Sequence, residues 1–183
     1  KICFFGNSIT HYWGGSPKAI LSSGADSWKA NLDELEVRNF GFGWDRVENV
    51  LWRIYHDELD GFEAEQIVLM IGTNNEHLNT DEEILSGLEM VINAIKERQP
   101  KARLLLLGLF PRVDKEERMR NLNTGIAALA TSKNVDYADI GGVLLDKGNK
   151  INASLFSDGL HPNAKGYRKV GKKLNAILRE GTK

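Results

Sequence analysis

One cysteine in 183 residues leaves Cys3 without a partner for an internal disulfide, and it excludes a cysteine-based zinc site. Cys3 lies in an apolar stretch, where its thiol reads as a small buried side chain rather than a catalytic group. Long hydrophobic runs are also missing. Runs such as residues 104–107 are far too short to cross a bilayer, so no integral membrane segment is expected. Neither sign of charge dominates: 24 Lys plus Arg stand against 25 Asp plus Glu, a formal net charge of -1. That balance gives no reason to expect a nucleic acid or a membrane surface as partner. Internal repeats, low-complexity tracts and linkers are absent, and the length suits a single domain over residues 1–183. The chain opens at Lys1 with no Met, almost directly in a strand, so a leader or an expression boundary is expected upstream. If it was a leader the compartment is secreted or periplasmic, and otherwise cytoplasmic.

What is present is an ordinary globular composition, 42% apolar and 27% charged, arranged as alternating strands and helices. Residues 2–5, 37–40, 66–71, 103–107 and 135–138 read as strands, the first an apolar run and the third apolar after its first residue, and most of them are closed by glycine. Helical periodicity marks residues 27–35, 46–59, 81–99, 115–133 and 163–178. Thr80 and Glu83 form a capping box before the third of these, and Pro100 ends it. Trp52 and Tyr55 read as core residues of the 46–59 helix, while His56 and His77 read as solvent-facing. Apolar strands separated by helices imply a parallel sheet covered on both faces. The expected fold is a three-layer α/β/α sandwich, flavodoxin-like, with five parallel strands in the order 2-1-3-4-5.

Such a sheet binds ligands beyond the carboxyl ends of its strands, where the strand order reverses. The segments expected there are Gly6 to Thr10, Gly41 to Asp45, and Gly72 to Asn75, all polar and glycine-flanked. Attack on an ester needs a hydroxyl, a base to take its proton, a carboxylate to orient the base, and donors for the oxyanion. Ser8, just past the first strand, is the candidate nucleophile; taken alone it reads as a helix N-cap. Asp158 and His161, three apart in a turn containing Gly159, are candidate orienter and base; taken alone they read as an Asx-turn loop. Asn74 is the candidate side-chain donor, or else a turn former, beside the backbone amides of Ser8 and residue 44.

Gly6, Asn7 and Ser8, then Asn39 to Asp45, then Gly72 to Asn75, then Asp158 and His161, resemble the ordered blocks of the SGNH (GDSL-like) hydrolases. Asn39-Phe40-Gly41, Val50 to Arg53, Ile71 to Asn75 and Leu107 to Arg112 further resemble the platelet-activating-factor acetylhydrolase catalytic-subunit branch. The resemblance implies a serine esterase acting on short-acyl, often acetyl, esters, with no cofactor and no metal. It maps Ser8, Asp158 and His161 onto the triad and Asn74 onto the oxyanion hole. Two positions depart from the pattern. Asn7 stands where the family usually has aspartate, with a tuned nucleophile turn expected. Trp44 stands where a glycine amide normally serves the oxyanion hole. A backbone N–H survives any side chain but proline, so the donor is retained, or Gly43 supplies it if the alignment slips by one.

The expected substrate pocket draws on Tyr12, Trp13, Trp44, Phe110 and Arg112, although aromatics placed like Tyr12 and Trp13 more often pack. Arg112, Lys115 and Arg118 form a small basic cluster, read mainly as a solvated face. The expected partner is a small ester, an acetylated sugar or a short-acyl ester, and nothing in the sequence supports a homo-oligomer. No H-E-x-x-H spacing, P-loop or G-x-S-x-G elbow occurs, and residues 41–46 lack the third glycine of a dinucleotide fingerprint. Two rival readings remain: an acyltransferase using the same triad, and a non-catalytic binding module on a flavodoxin-like scaffold.

Overall fold

A computed structural model describes residues 1–180. The apolar runs form strands β1 (Ile2–Gly6), β2 (Val37–Gly41), β3 (Gln66–Met70), β4 (Arg103–Leu107) and β5 (Asp136–Ala138). The helices are α1 (Ser8–His11), α2 (Ala25–Asn31), α3 (Val47–Tyr55), α4 (Asp81–Arg98), α5 (Glu116–Ser132) and α6 (Ala164–Glu180). All strand pairs are parallel in the order β2-β1-β3-β4-β5, as the sequence predicts. Every residue of β1 and β3 is buried, which is why neither strand shows an alternating pattern.

Each crossover brings a helix back over the sheet. On one face α2 packs with α6, while α3, α4 and α5 follow one another on the other. The helix α4 starts where Thr80 Oγ1 accepts the Glu83 N–H and the Glu83 carboxylate accepts the Thr80 N–H. Its buried stripe runs Ile84, Leu88, Val91, Ile92 and Ile95.

Two expectations about the helices need correction. The segment 27–35 divides at Leu32 into α2 and a single 3-10 turn, Asp33–Leu35, closed by Glu36 in the left-handed region. The 46–59 segment stops at Tyr55, and Trp52 and Tyr55 are exposed rather than core. Only Val47, Val50 and Ile54 of α3 are buried, a stripe too narrow to take in positions 52 and 55. Trp52 instead stacks on His56, ring centroids 3.8 Å apart, at the protein surface.

The switch in strand order lies between β1 and β3, with β2 on the far side of β1. The loops after β1, β2 and β3 therefore gather at one edge of the sheet.

Candidate active site

The turn after β1 is made by close packing. A Cβ on Gly6 would lie 2.0 Å from Thr10 Oγ1, so only glycine lets α1 fold back onto the strand end. Asn7 Oδ1 accepts the Ile9 N–H at 2.9 Å and caps the turn. Capping thus falls to Asn7 and leaves the Ser8 hydroxyl for another partner. An asparagine oxygen fills that acceptor role as an aspartate would.

The partner arrives from the other end of the chain. The Ser157 N–H donates to the His161 carbonyl at 2.9 Å, and Phe156 bridges Pro162, closing a tight loop. Gly159 takes a φ of +78°, which a residue with a Cβ rarely adopts. Within the loop Asp158 Oδ1 accepts the Leu160 N–H at 2.9 Å and the His161 N–H at 2.7 Å. Asp158 Oδ2 lies 2.7 Å from His161 Nδ1, and His161 Nε2 lies 2.8 Å from Ser8 Oγ. Burial resists ionisation of Asp158, but the His161 N–H, the imidazole and the Leu160 N–H outweigh it and hold the carboxyl below its usual range. An ionised carboxylate only accepts, so Nδ1 carries the imidazole proton and Nε2 faces Ser8 as an acceptor.

The loop after β2 is pinned from several sides. Arg53 reaches from α3 to Asp45 Oδ2 at 2.8 Å, to the Phe40 carbonyl at 3.2 Å, and to both Glu58 oxygens at 2.5 and 2.6 Å. Its guanidinium also covers the Phe42 ring at 4.4 Å. Burial pushes the Asp45 and Glu58 carboxyls up, with the Arg53 charge opposing. Asn39 donates to the Thr10 and Gly14 carbonyls, both at 2.7 Å, and accepts the Gly41 N–H, joining this loop to the nucleophile turn.

Within that loop Trp44 has a φ of +67°. The left-handed region costs a non-glycine residue about 1–2 kcal/mol, a penalty glycine escapes. Among the described residues neither the Trp44 N–H nor the Ser8 N–H donates to a protein acceptor. Gly43, the alternative donor considered from sequence, has its N–H engaged by His11 Nδ1 at 3.2 Å. Burial lowers the His11 pKa, with Asp45 opposing, so the imidazole stays neutral and able to accept. Asn74, in the turn after β3, donates one Nδ2 proton to the Asp45 carbonyl at 2.9 Å, leaving the second for another acceptor.

The expected pocket residues separate. Tyr12 is half-buried, with its ring centroid 5.4 Å from that of His161. Trp13 is fully buried, donating to Ser27 Oγ at 3.2 Å and packing on Trp28 and Tyr167; it is core and lines no pocket. Phe110 is core as well. Arg112 faces Glu76 at 3.7 Å, together with Lys115 at 3.0 Å and Arg118 at 3.4 Å. The basic cluster therefore surrounds a buried carboxylate, which the sequence alone does not reveal. His56 and His77 are exposed, as expected.

Sequence reasoning also missed Arg53 and Tyr167. Arg53 had a signal, since it closes one of the resembling blocks. Tyr167 had none beyond its helical spacing. Among the described residues no three His, Cys, Asp or Glu side chains gather as a metal site, and no helix is long and apolar enough to cross a membrane.

A sequence model of the GDSL-like Lipase/Acylhydrolase family matches residues 4–169. The rat platelet-activating factor acetylhydrolase IB subunit alpha2 is 34% identical over 169 residues, 90% of this chain and 73% of that protein. The bovine subunit alpha1 is 29% identical over 183 residues, 97% and 75% respectively. Among solved structures, a GDSL-like lipase from Bacteroides thetaiotaomicron superposes with a TM-score of 0.79 at 17% identity, covering 98% of this chain and 87% of the other. Axe2, an acetylxylan esterase from Geobacillus stearothermophilus, gives a TM-score of 0.72 at 20% identity, covering 98% and 93%. At those identities the two structures speak for the fold.

Proposed function

The chain belongs to the GDSL-like lipase/acylhydrolase family, as an ester hydrolase of the SGNH superfamily near the platelet-activating-factor acetylhydrolase branch, and from that premise we propose that Ser8, His161 and Asp158 are its catalytic triad. The proposed substrates are short-acyl esters, acetyl esters first. The observation carrying this reading is the continuous chain Ser8 Oγ to His161 Nε2 at 2.8 Å and His161 Nδ1 to Asp158 Oδ2 at 2.7 Å.

In the proposed reaction Ser8 Oγ attacks the acyl carbon and passes its proton to His161 Nε2. Asp158 keeps the imidazole oriented and offsets the charge it acquires. The tetrahedral oxyanion takes hydrogen bonds from the Ser8 N–H, the Trp44 N–H and the spare Asn74 proton, each worth about 3–4 kcal/mol in such sites. Collapse expels the alkoxide, which leaves as the alcohol with the proton from Nε2. Water then gives a proton to Nε2, attacks the acyl-enzyme and releases the carboxylic acid, restoring Ser8.

Hydrolysis of p-nitrophenyl acetate tests the assignment. Ser8→Ala and His161→Ala each lose roughly 10⁴–10⁶ in kcat while keeping the fold. Wild-type rates in Ser8→Ala protein would assign the chemistry elsewhere.

A further inference from the structure

The turn that carries the Trp44 N–H is held in the form its own residues favour less. Phe42 to Asp45 is a β-turn closed by the Asp45 N–H on the Phe42 carbonyl at 3.3 Å, with Gly43 and Trp44 at its corners. Trp44, at the second corner, has a φ of +67°, and Gly43 lies outside the left-handed region, which makes the turn type II. That corner ordinarily takes glycine or asparagine. A type I turn spans the same four positions with its second corner near a φ of about −90°. The two forms differ by a rotation of the peptide between the corners, and here that peptide carries the Trp44 N–H. Rotating it would relieve Trp44 and swing the N–H away from its present direction. A tryptophan at this corner therefore favours the turn that misdirects the donor.

Strain of this kind persists only where the surroundings impose it. The exit of the turn is held at Asp45, whose carboxylate meets Arg53 and whose carbonyl meets Asn74. The entry is held by His11, whose Nδ1 accepts the Gly43 N–H at 3.2 Å. Among the described residues no other side chain hydrogen-bonds to the backbone of residues 42–44. His11 is the last residue of α1, whose first residue is Ser8, and its own N–H donates to the Asn7 carbonyl at 2.9 Å. One helical turn thus carries both the nucleophile and the clamp on the loop. Its packing leaves little slack, since a Cβ on Gly41 would stand 2.5 Å from the His11 nitrogen.

We propose that His11 is a positioning residue for the oxyanion hole. By accepting the Gly43 N–H it seats the turn on α1 and keeps the Gly43–Trp44 peptide oriented so that the Trp44 N–H meets the developing oxyanion. The proposal rests on the reading of Ser8 as nucleophile and of the Trp44 N–H as a donor. His11 acts through the loop and not on the substrate.

The test measures kcat and KM for p-nitrophenyl acetate in variants that separate the acceptor from the bulk of the side chain. An asparagine Oδ1 lies as far along its side chain as the histidine Nδ1, whereas leucine offers no acceptor. His11→Leu lowers kcat about tenfold with KM nearly unchanged, and His11→Asn recovers most of the loss. His11→Ala, which also lacks the acceptor, gives the same pattern should His11→Leu not fold. Trp44→Gly relieves the corner and keeps the N–H, so in that background His11→Leu costs less than roughly threefold. Wild-type kcat without the acceptor overturns the proposal. So does His11→Asn as slow as His11→Leu, or an equal loss with tryptophan and with glycine at position 44, either of which would make His11 a packing residue only. Exchange of the Gly43 amide with solvent, followed by NMR, gives a reading independent of turnover. Exchange quickens about tenfold or more in His11→Leu and slows again in His11→Asn, and equal rates in all three proteins overturn the proposal. If wild type does not hydrolyse the ester, the Ser8 reading fails by itself, and amide exchange still decides whether His11 holds the turn.

Discussion

The phenol of Tyr167 donates a 2.7 Å hydrogen bond to the carbonyl of Ile9, joining the helix that follows His161 to the turn that carries Ser8. Both ends of the bond are buried, and Tyr167 also packs against Trp13, which anchors the chain beyond that turn. Residues distant in sequence are thereby held in register by an element that touches neither reacting atom. Removing the hydroxyl in Tyr167→Phe leaves the Ile9 carbonyl unpaired in the core, at a cost of about 1–3 kcal/mol. The expected outcome is a lower urea midpoint together with a reduced kcat for p-nitrophenyl acetate. A stability loss with unaltered kcat would make Tyr167 a packing residue only.

Asn74→Ala is expected to lower kcat by about 10²–10³ with a smaller effect on KM, the pattern of a group that acts on charge developing in the transition state. Steady-state kinetics on a short acetyl ester read this directly. A rise in KM at constant kcat would assign Asn74 to ground-state binding instead.

Much of this is legible in the sequence. Buried apolar strands such as β1 and β3 identify a parallel sheet, and glycine-flanked polar segments mark the edge where the proposed triad lies, because both signals are local and depend on burial. What was not legible depends on which neighbour a side chain meets. Trp52 and Trp13 look alike as aromatic residues near structured segments. One is left outside the narrow buried stripe of α3, and the other enters an aromatic cluster with Trp28 and Tyr167. Gly43 and Trp44 are adjacent in sequence, yet only the fold shows that His11 occupies the Gly43 N–H. The anionic centre of the Arg112, Lys115 and Arg118 cluster comes from Glu76, in a different loop, so charge counting along the chain reads those residues as a solvated face.

Glu76 is a buried carboxylate facing three cations, and its side chain is only 4% exposed. In Glu76→Gln, Arg112 and Lys115 lose this counter-charge and Arg118 keeps Asp81, so the turn after β3 is tied to α5 through Arg118 and the Asn79 carbonyl alone. A destabilisation on the order of 2–3 kcal/mol is expected, read as a lower midpoint in denaturant. No change in the midpoint would mean that solvent screens the cluster fully.

His11 supplies a pH dependence. Burial, the larger influence, holds its pKa below the ordinary histidine value, and Asp45 pulls the other way. A folded-state pKa below the unfolded one means that the unfolded chain binds the proton more readily. The stability contributed by neutral His11 is therefore present above the unfolded value of about 6.5 and is lost as pH falls through the folded value. Wild-type stability should decline between roughly pH 7 and 5 more steeply than that of His11→Gln, which has no titrating group at this position. Parallel declines in chemical denaturation would remove His11 as the source.

The central claim is that the Ser8 hydroxyl is activated by an imidazole supplied from the opposite end of the chain. Fluorophosphonate labelling followed by peptide mapping tests it most directly. The account predicts a single adduct on Ser8, formed rapidly by wild type, strongly slowed in His161→Ala and absent in Ser8→Ala. An adduct on any other residue, or equal labelling of Ser8 with and without the imidazole, would contradict it.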